Sequence, residues 1–140
     1  MTVMSKDEWW EFVTEGARLG NVAICRPPGR PHVTPVCFVL EDDELLFTVS
    51  PRSAKGRSIA RDGQVAIGVS DDEHPYRFAM LEGRATLSED PGELLRVGGA
   101  IGRRYSPAED PQEFAHGLAA AGFVVARVRI TNVIAHRDLG

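Results

Sequence analysis

The chain has 140 residues, 43% hydrophobic and 26% charged, with a formal net charge of −4. That is ordinary for a globular protein long enough to bury a core, most simply one domain over residues 1–140, and it excludes a low-complexity chain or one coated for nucleic acid. No run approaches the ~18 apolar residues of a membrane span, and Asp7, Glu8 and Glu11 stand where a secretory signal would be basic and then apolar, so neither membrane nor nucleic acid is an expected partner.

Ser5 with Glu8 three positions on has the spacing of a capping box, and Trp9, Phe12, Val13 and Ala17 continue at helical intervals, predicting an amphipathic helix over 5–18. Residues 19–25 read as a strand. Pro27-Pro28-Gly29-Arg30-Pro31 has strong breaker chemistry, and a second strand follows over 32–40. A hairpin about that turn sets Cys25 near Val33 and Cys37 four residues, about 13 Å, further along, too far for a disulfide. Two free thiols fit a reducing, cytoplasmic setting. Pro35 lacks a ladder donor, so its strand is expected at an edge or bulge, where the backbone can lie against a flat ligand.

After the polar turn 41–44 comes a third strand, 45–50, and then the basic segment from Ser50 to Asp62. Ser53 can cap a short helix there. Lys55 and Arg57 near its start have the wrong sign for the helix dipole unless an anion lies between them and the free N–H groups. Gly56 costs roughly 1 kcal/mol relative to alanine within a helix, but it lets a ligand approach the backbone. These residues suit a phosphate site; they also suit a solvated basic helix. Arg61 reads as a surface charge.

Strands over 64–70 and 76–87 flank a solvated acidic turn, Asp71-Asp72-Glu73. A regular strand points Tyr76, Phe78, Met80 and Glu82 one way. Ser88 or Asp90 can cap a helix that has Pro91 at its first position and Leu94, Leu95, Val97 and Ile101 as its core stripe. A second helix is predicted over 110–121, and a last strand over 122–135. Six strands and three or four helices joined by short turns favour antiparallel pairing, in a barrel or curled sheet.

Gly98-Gly99-Ala100-Ile101-Gly102 lacks dinucleotide-binding spacing and lies within a helical stripe, so close helix packing explains it better. There is no P-loop and no G-x-S-x-G. The four histidines have no ligand spacing, so no metal is expected. A phosphate clamp without catalytic machinery of its own fits a cofactor that carries the chemistry.

Taken in order, several segments resemble the pyridoxamine 5′-phosphate oxidase-like split-barrel family, most of all its branch that uses the deazaflavin coenzyme F420. They are Gly29-Arg30-Pro31-His32-Val33-Thr34-Pro35-Val36, Leu45-Leu46-Phe47-Thr48, Ala54-Lys55-Gly56-Arg57-Ser58-Ile59, Val65-Ala66-Ile67, Tyr76-Arg77-Phe78, Glu82-Gly83-Arg84-Ala85, Arg103-Arg104-Tyr105 and 124–135. The resemblance implies a mainly β, α+β fold: a split β-barrel with flanking helices, forming a homodimer with two cofactor clefts between its subunits. Lys55 would hold the cofactor phosphate, helped by Ser50, Ser53 and Arg57. The strand at Thr34, Pro35 and Val36 would lie against the ring system, with Tyr76 and Phe78 walling the substrate side. Two positions depart from the pattern: Cys37, where tryptophan is often found, and Ser58-Ile59, where asparagine-leucine commonly follows the Lys-x-Arg.

The expected activity is hydride transfer from reduced F420 to a small unsaturated or quinone-like acceptor. An alternative is an FMN-binding oxidase or flavin reductase. Another is a non-catalytic binding protein for F420, haem or a tetrapyrrole. The catalytic residues and the small-molecule substrate are left open.

Overall fold

The structure, a computed structural model, describes residues 1–139. Along them run β1 (Thr2–Val3), α1 (Lys6–Thr14), β2 (Gly20–Arg26), β3 (Arg30–Val36), β4 (Phe38–Glu41), β5 (Glu44–Val49), α2 (Ala54–Arg61), β6 (Gln64–Ser70), β7 (Tyr76–Ser88), α3 (Pro91–Tyr105), α4 (Pro111–Ala120) and β8 (Val124–Leu139). The helices begin where the chain supplies a cap. Ser5 and Glu8 complete the capping box of α1; Ser53, Asp90 and Asp110 cap α2, α3 and α4. Asp90 rather than Ser88 caps α3, because the Ser88 hydroxyl donates to Glu93 at 2.7 Å. Helix α1 ends at Thr14, short of the expected 18. Gly16 takes a φ of +59° and Ala17 is exposed.

The strands form one antiparallel sheet in the order β3-β2-β6-β7-β8-β5-β4, with β1 added to β8. The sheet curls without closing: β3 and β4 are its two ends. This is the expected mainly β split barrel. Pro35 lies on an edge strand, as its missing donor requires. The predicted strand over 32–40 is in fact two. Residues up to Val36 pair with β2, and residues from Phe38 pair with β5, so the chain changes partner at Cys37. The first hairpin is also tighter than expected. Arg26 faces Arg30, which puts Cys25 opposite Pro31 rather than Val33. Strand β8 runs four residues past the predicted end, and β1 was not foreseen.

Inside the curl lies the main core, with Val22, Ile24, Phe38, Leu45, Phe47, Ile67, Leu81 and Val128, closed over by Phe12 and Val13 of α1 and Ile59 of α2. A second core forms on the other face of β5 and β8, where Leu46 and Val125 meet Leu94, Val97 and Ile101 of α3. Strand β5 and the first residues of β8, Val124–Val128, are therefore covered on both faces. Helix α4 packs on α3 through glycine: a Cβ on Gly98 would meet Ala115 Cβ and Leu118 Cδ1 at 3.2 Å, and one on Gly102 would meet Phe114 at 3.1 Å. Gly98 and Gly102 serve close packing, as the glycine run in this helix suggested, whereas a Cβ on Gly99 would make only ordinary contacts.

Elsewhere the outer face of the sheet has no helix on it. A row runs across five strands from Pro35 through Asn21, Gly68 and Met80 to Ile134. Beside it Val33, Ala23 and Ala66 form a second row. Val33 is 64% exposed and Ile134 40%.

Candidate functional site

Helix α2 follows β5 through a tight turn. The Ser53 hydroxyl donates to the Ser50 carbonyl at 2.7 Å and accepts from the Gly56 N–H at 3.0 Å. A serine has one hydroxyl proton, so Ser53 is engaged in holding the turn. The Ser50 hydroxyl accepts from the Arg52 N–H at 3.3 Å. Gly56 is required by this turn: a Cβ there would stand 2.2 Å from the Ser50 carbonyl oxygen and 2.8 Å from Pro51 Cα. Contact with the chain itself, rather than ligand approach, explains the glycine. The N–H groups of Ala54 and Lys55 remain as first-turn donors beyond the reach of an intrahelical acceptor.

Lys55 shares a helical stripe with Ser58 and Ile59, both buried. Its side chain is accordingly half-buried, and burial pushes its ammonium pKa down. Among the described residues it has no carboxylate partner. Arg57 points from the same helix into solvent. Arg61 is not merely a surface charge. Its guanidinium donates to the Cys25 carbonyl at 2.7 Å and to Ser58 Oγ at 3.2 Å, tying α2 to β2. Ser58 thus has a local role as an acceptor.

The inner face of the β2–β3 hairpin carries Val22 and Ile24 opposite Thr34 and His32. Thr34 and Val36 share this face, whereas Pro35 is on the outer one. The Thr34 hydroxyl, His32 Nδ1 and Arg26 Nε are all shut off from solvent without a hydrogen-bond partner. Cys37 lies just beyond, at the change of strand; burial pushes its thiol pKa up although Arg104 opposes the shift.

Tyr76 and Phe78 are elsewhere. The end of α2 docks on the far part of β7, where Arg84 donates to the Asp62 carbonyl at 3.0 Å and the Ala85 N–H to Gly63 at 2.7 Å. Tyr76 lies eight residues before Arg84, about 26 Å along the strand, and α2 is only about 12 Å long. Within one chain Tyr76 is therefore remote from Lys55. A β-bulge also separates Tyr76 from Phe78, so the expected regular alternation starts only at Phe78. The Phe78 ring packs at a tilt against His136, ring centroids 5.4 Å apart.

At that distant end is an open cavity of about 1040 Å³, whose lining includes Arg18, Asn21, Asp71, Arg77 and Asp138. Asp71 was expected in a solvated turn; its side chain is 12% exposed and accepts from Arg18 at 2.7 Å and from Arg77 at 2.6 Å. Burial raises its pKa, but those hydrogen bonds outweigh it and hold the carboxyl below the usual range. The pairing joins residues 53 and 6 positions apart, and no local pattern announces it. Among the described residues no group of three or more His, Cys, Asp or Glu could hold a metal ion, and no helix is long and apolar enough to cross a membrane.

A family model described as pyridoxamine 5′-phosphate oxidase matches residues 5–137. The chain belongs to that family. No curated protein matches it. Among solved structures, the conserved hypothetical protein Rv2991 from Mycobacterium tuberculosis is 28% identical with a TM-score of 0.85, over 98% of this chain and 87% of that one. An F420 reductase is also 28% identical, with a TM-score of 0.69 over 88% of this chain and 94% of its own. HutZ, the haem storage protein from Vibrio cholerae, shares the fold at 22% identity and a TM-score of 0.72, over 95% and 94% of the two chains.

For this oxidase-family chain the residues present fit a phosphate-bearing cofactor. An unpaired, half-buried ammonium beside a helix start suits an anion, and the orphaned Thr34 hydroxyl needs a partner. His32 and Arg26 were missed as candidates from sequence. Their alternation with Thr34 and Ile24 was legible, but their lack of partners was not.

Proposed function

We propose that the protein is an F420-dependent oxidoreductase acting on a small unsaturated or quinone-like acceptor. The observation that carries this is Lys55, a half-buried cation without a counter-ion one residue inside the start of α2. A desolvated ammonium is costly unless an anion pairs with it, and the first-turn N–H groups of Ala54 and Lys55 add donors on the same side. When bound, the reduced deazaflavin supplies the hydride. The chain's own tasks are to grip the phosphate at Lys55, to set the ring system against the β3 edge at Thr34–Val36, and to keep water away.

The working unit in this reading is a homodimer. Support comes from the uncovered outer face with its exposed Val33 and Ile134, and from the distance along β7 that parts Tyr76 and Phe78 from Lys55. Across a subunit boundary these aromatics can wall a cleft whose phosphate end belongs to the other chain. Arg57, exposed on α2, is then a second cation for the same phosphate. Ser53 and Ser50 support the turn rather than supply the ligand's main donors.

FMN is the second reading, since the family match alone is compatible with a flavin carrying the same kind of phosphate. Titrating the protein with F420 and with FMN side by side, following each ligand's own fluorescence, tests the choice. Tighter binding of F420, weakened at least tenfold by Lys55→Ala, is the expected result. Preference for FMN overturns the cofactor assignment, and unchanged affinity in the variant overturns the phosphate role.

A further inference from the structure

We propose that Arg104 and Tyr105, the last two residues of α3, are positioning residues for the ring of a bound cofactor. They fix the open end of the β2–β3 hairpin, and through it the edge at Thr34–Val36. The inference rests on the reading above in which the ring system lies against that edge, and it adds the residues that hold the edge in place.

Strand β3 ends the sheet and pairs with β2, so its placement depends on how the hairpin is held at its two ends. At the turn, the Gly29 N–H donates to the Arg26 carbonyl at 2.7 Å. At the other end the ladder stops at Gly20 opposite Val36. Beyond that pair the hairpin forks. One arm leads back to α1, and the other crosses to β5, where Phe38 faces Phe47. Backbone carbonyls at such a fork leave the ladder and need donors from elsewhere. Helix α3 supplies them. The Tyr105 hydroxyl donates to the Arg18 carbonyl at 2.6 Å, two residues before Gly20. Arg104 donates to the Phe38 carbonyl at 2.7 Å, two residues after Val36. Each arm is thus taken by one side chain of the same helical turn. Burial pushes the Tyr105 pKa up, and a hydrogen bond from the Phe38 backbone to the same oxygen opposes it, so the phenol touches both arms.

Packing completes the joint. The Arg104 guanidinium lies 4.7 Å from the Phe38 ring centroid, and a Cβ on Gly20 would stand 3.1 Å from Phe38 Cδ1. The Phe38 ring therefore links α3 to Gly20, the residue directly opposite Val36. Val36 is about 6.6 Å along the chain from Phe38, and Thr34 about 13 Å, so the edge begins where the joint ends. The phosphate end is independent of it. Lys55 follows β5, and its turn is held by the bonds of Ser53 to Ser50 and Gly56. Loosening the fork displaces the edge that faces the ring and leaves the Lys55 clamp as it was.

Tyr105→Phe removes the donor and keeps the aromatic ring. It is tested with F420, with FMN and with lumiflavin, which has the ring alone. The variant should bind all three about 3- to 10-fold more weakly, the range of one lost hydrogen bond, and the visible band of bound FMN should move towards that of the free ligand. Lys55→Ala should weaken F420 and FMN only. Val97→Ala supplies the control for stability. Val97 is fully buried in the second core, on the same helix, so this variant should melt lower with parental affinities and a parental FMN band. Parental affinities and band in Tyr105→Phe, whatever its melting temperature, overturn the positioning role. So does weakening confined to F420 and FMN, or an equal weakening by Val97→Ala. Retained F420 and FMN affinity in Lys55→Ala overturns the phosphate role and leaves the positioning role standing, whereas a parent protein that binds none of the three overturns both.

Discussion

The Arg104 guanidinium lies over the Phe38 ring, 4.7 Å from its centroid, and donates to the Phe38 carbonyl at 2.7 Å. The same side chain donates to Val13 at 2.8 Å and to Gly16 at 3.0 Å. One residue of α3 thereby holds the end of α1 and the first residue after the change of strand at Cys37. Arg104 has no carboxylate partner among the described residues, and its charge is dispersed over three carbonyl dipoles. Burial pushes its pKa down. Hydrogen bonds from a charged donor are worth more than neutral ones, and a lysine cannot reproduce the planar fork. Arg104→Lys should therefore lower stability by about 2–3 kcal/mol and Arg104→Ala by slightly more, read as a shift in urea midpoint at constant m. A shift within ~0.5 kcal/mol for Arg104→Ala, the range of ordinary surface substitutions, would show that the three carbonyls gain nothing from it.

Gly56 and Gly117 both occupy helices, and alanine is intrinsically preferred to glycine there by about 1 kcal/mol. Their surroundings make the outcomes opposite. A Cβ on Gly117 meets nothing within 4 Å, whereas one on Gly56 stands 2.2 Å from the Ser50 carbonyl oxygen. Gly117→Ala should stabilise the protein by about 0.5–1 kcal/mol. Gly56→Ala should destabilise it by about 2–4 kcal/mol, because backbone rather than a flexible side chain must move. Thermal melts of the pair decide the matter, and two shifts of the same sign would contradict this account of the turn.

What could be read along the chain was local. Ser5 and Ser53 announce their helices, and Asp90 does so beside the competing Ser88, because a cap bonds N–H groups two or three residues away; the Asp110 cap of α4 was not singled out. The break at Cys37 was invisible. Val36, Cys37, Phe38 and Val39 contain no breaker, and the split arises from a competition between β2 and β5 for partners. Lys55 was legible as a candidate by residue type and position. Its burial was not, since that depends on which stripe of α2 turns inward. The Asp71 pairing with Arg18 spans 53 residues and leaves no local trace.

Lys55 also makes stability depend on pH in a definite direction. Burial depresses its pKa in the folded protein, while the unfolded chain keeps the ordinary value near ~10.4. Below the folded value both states are protonated and the desolvation penalty is present in full. As pH rises from the folded value towards ~10.4 the native state loses its proton first, the unfolded state holds more protons, and stability rises. The parent should therefore gain on Lys55→Met through that alkaline window. A phosphate-bearing ligand, by pairing with the ammonium, should shrink the gain. Denaturation midpoints of both proteins from pH 7 upwards would check this, and a parent that loses ground to the variant would refute the buried-cation picture.

Asp71 gives a dependence of the same sign at the acid end. Arg18 and Arg77 both stand over the Phe12 ring, at 4.4 and 4.7 Å, and both reach Asp71. The carboxylate thus sets two cations that cover a core residue of α1. Its depressed pKa means that its contribution is whole above the ordinary aspartate range, ~3.9, and disappears as pH falls through the lower folded value. Asp71→Asn should cost about 1–2 kcal/mol at pH 7, less than a fully buried pair because Glu15 still reaches both arginines. Its stability should also fall less steeply below pH 4 than the parent's. Parallel acid limbs for the two proteins would show that Asp71 is not the group titrating there.

Gly68 lies mid-row on the outer sheet face, between Asn21 and Met80, and a Cβ there would meet nothing within 4 Å of its own chain. The protomer does not need glycine at this position, and glycine is a poor strand residue. A flat face that a second copy packs against does need something small. If the homodimer we propose uses this face, Gly68→Glu leaves a folded protomer but places a carboxylate in the interface, where desolvation costs several kcal/mol. Light scattering should then report a monomer with parental secondary structure. F420 and FMN binding should weaken together, because Tyr76 and Phe78 can no longer meet Lys55 across the boundary. A dimer that persists with undiminished affinity would move the interface to another face, and with it the assignment of the aromatic wall.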